Sequence, residues 1–345
     1  MQKINRLVVL SSLLIAILLM FSSCQSKPGE KAEKANVKVD LATEIEGLSK
    51  KIADDSLNAG LYNQRAQLYI KAEKLNNALA DVNKAMVLDQ KMPAAYITLS
   101  DIYLLQGKPG IALDAIRKSI AIDANYTEAY IRLAKLYLIM KDYPKTTENI
   151  NKALNLDPKN AQAYFLKGFV LEENGDTTKA IESYKQAVVL DQKYYEAYIQ
   201  LGSLYSAQKS TLAAGYFTSA LNNKPESKEA LYMLGMFYQE NDQPEQALGV
   251  YKRMITLDSR DKIAHYNSGY VNLVYLKKFK EGADFFSTAI QIDPVYADAW
   301  FNRGFCYELM GDAAKARTDY EKVLKITPND PKTIIALNRL DKSLP

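Results

Sequence analysis

AQAYFLKGFVLEENGDTTKAIESYKQAVVLDQKY, residues 161–194, decides the architecture. Apolar residues recur at spacings of three and four in 161–174 and again in 178–191, and Gly175 breaks the pattern between them. That is the signature of two amphipathic helices joined by a tight turn. The same order returns about every 34 residues on both sides. An aromatic stands at the fourth place of most copies: Tyr62, Tyr96, Tyr130, Tyr164, Tyr198 and Trp300. A small residue follows four later: Ala66, Ser100, Ala134, Gly168, Gly202, Gly235, Gly269 and Gly304. A fixed period of this length marks a helical array, in which each unit buries its apolar side only by stacking on the next.

The register gives eight helix pairs, at 59–92, 93–126, 127–160, 161–194, 195–227, 228–261, 262–296 and 297–330. The fifth is one residue short near 209–212 and the seventh one residue long near 275–279, both between helices. Leu41, Ile45, Leu48 and Ile52 line one face of an N-terminal packing helix expected over 41–58, and a capping helix is expected over 331–345. Gly107, Gly175 and Gly311 suit the left-handed end of first helices. Pro109, Pro144 and Pro244 suit the start of second helices, where a missing N–H costs nothing. Ala78, Ala112, Ala180, Ala213, Ala247 and Ala316 let the second helix approach the first, and the bulkier Val82, Ile116, Ile150, Tyr184, Phe217, Tyr251, Phe286 and Tyr320 face the small residues.

The order aromatic, small, tyrosine, alanine, aromatic, alanine, proline in Tyr198, Gly202, Tyr205, Ala213, Phe217, Ala220 and Pro225 strongly resembles the tetratricopeptide repeat. Trp300, Gly304, Tyr307, Ala316, Tyr320 and Pro328 repeat it. Departures are local: Leu231 and His265 at the aromatic place, Asn272 at the tyrosine, Thr146 and Gly282 at the alanine. The resemblance implies an all-α, right-handed superhelical solenoid. Its first helices would line a concave surface that binds a protein or peptide.

The 345 residues carry 44 Lys+Arg and 40 Asp+Glu, or 42 against 40 once Lys3 and Arg6 leave with a signal segment, which argues against a nucleic-acid partner. One histidine, His265, rules out a conventional histidine metal site or triad, and it reads as a packed ring. Cys306 reads as a small buried thiol and Glu172-Glu173 as solvated carboxylates. No phosphate loop occurs, and once the array is assigned no segment of domain size remains for catalysis. No enzyme, cofactor or metal is expected.

Residues 1–23 are a positive end followed by an apolar stretch too short for the roughly 30 Å hydrocarbon core, which reads as a signal peptide. Phe21-Ser22-Ser23-Cys24 resembles a bacterial lipobox, which implies acylation of Cys24, attachment to a membrane, and a polar tether over 24–40. Gln25 is not the Asp of inner-membrane retention, so a lipid-anchored place in the bacterial cell envelope, at the outer membrane, is expected.

In the resembled family, the fifth, ninth and twelfth places of each repeat face the partner. Here Phe165/Phe169, Tyr232/Met236, Tyr266/Tyr270 and Phe301/Phe305 pair at i,i+4, and they are the expected partner-binding strip. No fifth place is Lys and no ninth place is Asn, so a clamp for a C-terminal carboxylate is not expected. The reading is a non-catalytic envelope adaptor, with capture of a ligand or glycan on the aromatics as the alternative.

Overall fold

The computed structural model describes residues 28–342, all of whose regular structure is helical. A first helix, α1 (Pro28–Asp54), precedes eight antiparallel pairs. They are α2/α3 (Ala59–Lys71, Leu75–Leu88), α4/α5 (Pro93–Leu105, Pro109–Ile122), α6/α7 (Thr127–Ile139, Tyr143–Leu156) and α8/α9 (Ala161–Glu173, Thr177–Leu190). Then come α10/α11 (Tyr195–Ala207, Leu212–Asn223), α12/α13 (Lys228–Glu240, Pro244–Leu257), α14/α15 (Lys262–Val274, Phe279–Ile292) and α16/α17 (Ala297–Leu309, Ala313–Ile326). Helix α18 (Pro331–Lys342) follows. The chain forms two compact units, α1–α9 up to Asp191 and α10–α18 from Gln192. The fold is an all-α solenoid of helix pairs.

Helix α1 begins at Pro28 rather than at 41, so part of the expected tether is helical. The reason lies in the sequence: after Gly29, EKAEKANVKVD holds no breaker and is rich in Glu, Lys and Ala. The signal segment and Cys24 lie outside the described residues.

Every pair turns through a residue in the left-handed region, and only Gly107, Gly175 and Gly311 of these are glycine. Glu73, Lys141, Lys209, Asp242 and Lys277 take the same φ, between 54° and 59°. The residue after each donates its N–H to the carbonyl five back, as from Lys74 to Tyr69 and Ser210 to Tyr205, which closes the first helix. Lys278 instead reaches Asn272, six back, and so absorbs the extra residue of the seventh pair. In the fifth pair Ala213 bonds Ser210 where other pairs span four residues, as Ala180 to Asp176, and this is where one residue is lost.

The small place on the first helix and the large place on the second are matched. A Cβ on Gly168, Gly202, Gly235, Gly269 or Gly304 would meet the ring of Tyr184, Phe217, Tyr251, Phe286 or Tyr320 at 2.5–2.9 Å. Only glycine lets those rings lie on the helix backbone. In the first three pairs the small residue is Ala66, Ser100 or Ala134, and its partner is the aliphatic Val82, Ile116 or Ile150, all buried.

Each end of the array carries the same polar lock. Arg65 on α2 donates to both carboxylate oxygens of Asp81 on α3, at 2.7 Å each, and to Ser49 Oγ on α1 at 2.9 Å. Arg303 on α16 does likewise with Asp319 on α17, at 2.8 Å each, and with Ser287 on α15 at 3.0 Å. Ser49 and Ser287 each also donate to a carbonyl four residues back. The C-terminal half of α1 therefore stands where the second helix of a preceding pair would stand.

Candidate partner-binding surface

Within each unit, first helices touch the next first helix: α2 with α4, α4 with α6, α6 with α8, α10 with α12, α14 with α16. Second helices of successive pairs stand further apart, so the first-helix side is the inner one.

The expected strip is not uniformly open. Phe165 and Phe169 are each only 9% exposed. Phe165 packs on Tyr184 of its own second helix at 5.5 Å, and Phe169 sits in a core with Tyr130, Ile131, Ala134 and Leu138 of the preceding pair. Neither is an exposed anchor. The same fifth-place packing recurs at Tyr266 on Phe286, 5.6 Å, and Phe301 on Tyr320, 5.4 Å. These two stay half-buried, as do Met236, Tyr270 and Phe305. Tyr232 is 39% exposed and is the most open of the eight.

In the second unit these side chains join residues that the place pattern did not single out. Tyr266 lies 5.0 Å from Tyr296 and 6.4 Å from Tyr270, which meets Tyr275 edge-on at 6.4 Å. Asn302 donates to the Tyr266 hydroxyl at 2.9 Å. Burial and then the Asp298 carboxylate push the Tyr266 hydroxyl up to about 12. Tyr275 and Tyr296 lie in turns, outside the repeated places, which is why a place-by-place reading passes over them.

A second rule links neighbouring repeats. The ninth place of one first helix meets the sixth place of the next: Gln67 donates to Thr98, Arg132 pairs with Asp101 at 3.3 Å, and Ser203 reaches Met233. Arg132 also lies 3.3 Å from Glu128. Lys135, at the next ninth place, has the apolar Leu166 at its corresponding sixth place. Burial, then the nearby Arg132 charge, lowers its amine to about 8.

In three repeats the twelfth place, expected to face the partner, serves the second helix instead. Glu172, Gln239 and Glu308 accept hydrogen bonds from the hydroxyls of Tyr184, Tyr251 and Tyr320, at 2.9, 3.2 and 2.7 Å. Where the large place lacks a hydroxyl, the twelfth is Ile70, Leu104, Leu138, Ser206 or Leu273. The solvated reading of Glu172-Glu173 is thus corrected, since Glu173 also accepts from Tyr143 at 2.9 Å. Burial raises the Glu172 carboxyl above its usual value, more than the Tyr184 hydrogen bond lowers it. A raised carboxyl favours the fold most below the ordinary carboxylate range, and that contribution fades as pH rises through the raised value. Glu172→Gln keeps the acceptor, as Gln239 does, and should be neutral or stabilising at pH 7 in thermal melts. Glu172→Leu removes this acceptor from the Tyr184 hydroxyl and should cost about 1–3 kcal/mol.

His265 is buried, with Nε2 3.1 Å from the Ser259 carbonyl. Tyr62, Tyr130 and Trp300 donate to the carbonyl six residues back in the same way, at 3.3, 3.0 and 3.0 Å. The histidine therefore does the structural work of this place. Cys306 is fully buried, which pushes its thiol up to about 12. Among the described residues no group of three or more His, Cys, Asp or Glu could hold a metal ion, and no helix is long and apolar enough to cross a membrane.

The geometry is that of a repeat protein built from stacked helix pairs. Models described as tetratricopeptide repeat match residues 127–160, 149–182, 203–262 and 297–330, and one described as TPR repeat matches 173–209. The chain carries tetratricopeptide repeats. The C-terminal part of a TPR repeat-containing protein from Cytophaga hutchinsonii shares the fold, with 19% identity, a TM-score of 0.62, and coverage of 70% of this chain and 99% of that one. YrrB, described as a TPR protein with an unusual peptide-binding site, aligns at 25% identity and a TM-score of 0.48 over 56% of this chain and 99% of its own. The DnaJ homolog subfamily C member 3 homolog of Dictyostelium discoideum is 35% identical over 71 residues. That stretch is 21% of this chain and 14% of the relative's length.

Proposed function

We propose that the protein is a non-catalytic adaptor, anchored to a bacterial envelope membrane through acylated Cys24, that holds a protein or peptide partner on its first-helix surface. One observation carries the binding part: Tyr232, Met236, Tyr266, Tyr270, Phe301 and Phe305 keep solvent-facing area on the inner side of the second unit. Aromatic side chains that stay open on a rigid inner face are the residue types that dominate binding hot spots. The repeats support a scaffold over an enzyme. The lipobox-like FSSC supports the anchor, and Gln25 the outer membrane.

Cross-linking in intact bacterial cells, followed by affinity capture, tests both parts. A recurrent protein partner should appear with the wild type and fall away with Tyr232→Ala plus Tyr270→Ala. Cys24→Ala should move the protein from the detergent phase to the soluble fraction without loss of the partner from lysates. Glycan captured in place of protein would favour the ligand-capture alternative. A Cys24→Ala variant that stays with the membrane would place the anchor elsewhere.

A further inference from the structure

The tyrosine surface of the second unit is bordered by carboxylates. Burial and then the Glu240 carboxylate raise the Tyr232 hydroxyl above its usual value. Tyr275 is raised by burial, by Tyr270, and by Glu240 and Asp242. Tyr296 is raised by burial, by Tyr266 and by Asp298. Carboxylates thus border all three rings, and the cation over Tyr296 is Lys262.

Glu240, Asp242 and Asp298 are exposed, and none makes an ion pair or side-chain hydrogen bond with a described residue. Elsewhere on the chain the half-buried carboxylates of Asp142, Asp176 and Asp312 each hold a lysine at 2.7–2.8 Å. Lys262, the cation over Tyr296 at 5.3 Å, is already paired with Asp293. The surface therefore has aromatic faces and three carboxylates that hold no cation among the described residues.

We infer that this surface receives a cationic segment, a lysine- or arginine-bearing stretch of the partner, and this rests on the partner-binding reading above. The stacked rings of Tyr266 and Tyr270, 27° apart, offer a face for a guanidinium or ammonium group. Glu240 and Asp298 would supply the opposing charge that its own residues leave unmet. Charge complementarity of this kind selects partners and speeds encounter. An acidic or neutral segment would leave the three carboxylates without cations.

The test is fluorescence anisotropy with the full chain and three labelled nonapeptides. One is rich in Lys and Arg, one replaces these with uncharged residues of similar length, and one is rich in Asp and Glu. Two paired variants are compared, Glu240→Gln with Asp298→Asn and Tyr232→Ala with Tyr270→Ala, each checked for an unchanged helical melt. The basic peptide should bind in preference to the other two. Each pair of substitutions, and a rise in salt from about 0.05 to 0.3 M, should weaken it by about tenfold. Tyrosine-dependent binding of the neutral or acidic peptide, indifferent to Glu240→Gln with Asp298→Asn, overturns the cationic class and leaves the surface as a docking site. If no peptide binds in a tyrosine-dependent way, both readings fall.

Discussion

Gly202→Ala should lose about 1–3 kcal/mol, although alanine is the better helix former by about 1 kcal/mol. A Cβ there meets Phe217 Cε1 at 2.5 Å, and Phe217 is buried between two helices with nowhere to retreat. Gly202→Leu should be worse. The repair is written elsewhere in the chain, where Ala134 faces Ile150. Phe217→Ile alone leaves a void and should cost about 1–2 kcal/mol. Combined with Gly202→Ala it fills the space freed by the smaller side chain, and the double variant should return to within about 1 kcal/mol of the wild type. Urea melts of the four proteins measure this cycle. Simple additivity of the two losses would show that the ring and the small place do not share one volume.

Arg303→Ala should be at least as damaging, at about 3–5 kcal/mol, because it strands a carboxylate rather than a contact. Asp319 is buried, and among the described residues its two oxygens accept only from Arg303. Arg303 also lies 4.6 Å over the Trp300 ring, so its loss removes packing as well as charge. Arg303→Met with Asp319→Leu removes both charges together and should recover most of the loss. Stability in an array is local, so hydrogen exchange across α15–α17 is the better readout than one global transition. Arg303→Ala should raise exchange there and leave α2 and α3 protected.

The architecture was legible because stacking forces the same few places to be small or aromatic in every copy. The match of the twelfth place to the second helix stood in the sequence but was passed over: Tyr184, Tyr251 and Tyr320 each have Glu or Gln twelve residues earlier, and Phe217 and Phe286 do not. What the repeat pattern hid was the surface. A phenylalanine at the fifth place reads alike whether or not neighbouring rings cover it, so Phe165 looked as open as Tyr232. Phe169 has the same difficulty, since the residues that bury it belong to the preceding pair. The start of α1 was missed for the opposite reason: a charged segment without apolar periodicity can still extend a helix already nucleated beside it.

The reciprocal fit of glycine with ring, and of alanine or serine with a branched aliphatic chain, bears on how such genes diversify. Duplication or unequal crossing-over with breakpoints between pairs would hand on both halves of each fit intact. A breakpoint inside a pair could join Ser100 to a descendant of Phe217, and the hybrid would be selected against at once. The heritable module is therefore the hairpin, and lengthening or shortening of this gene should proceed in whole hairpins.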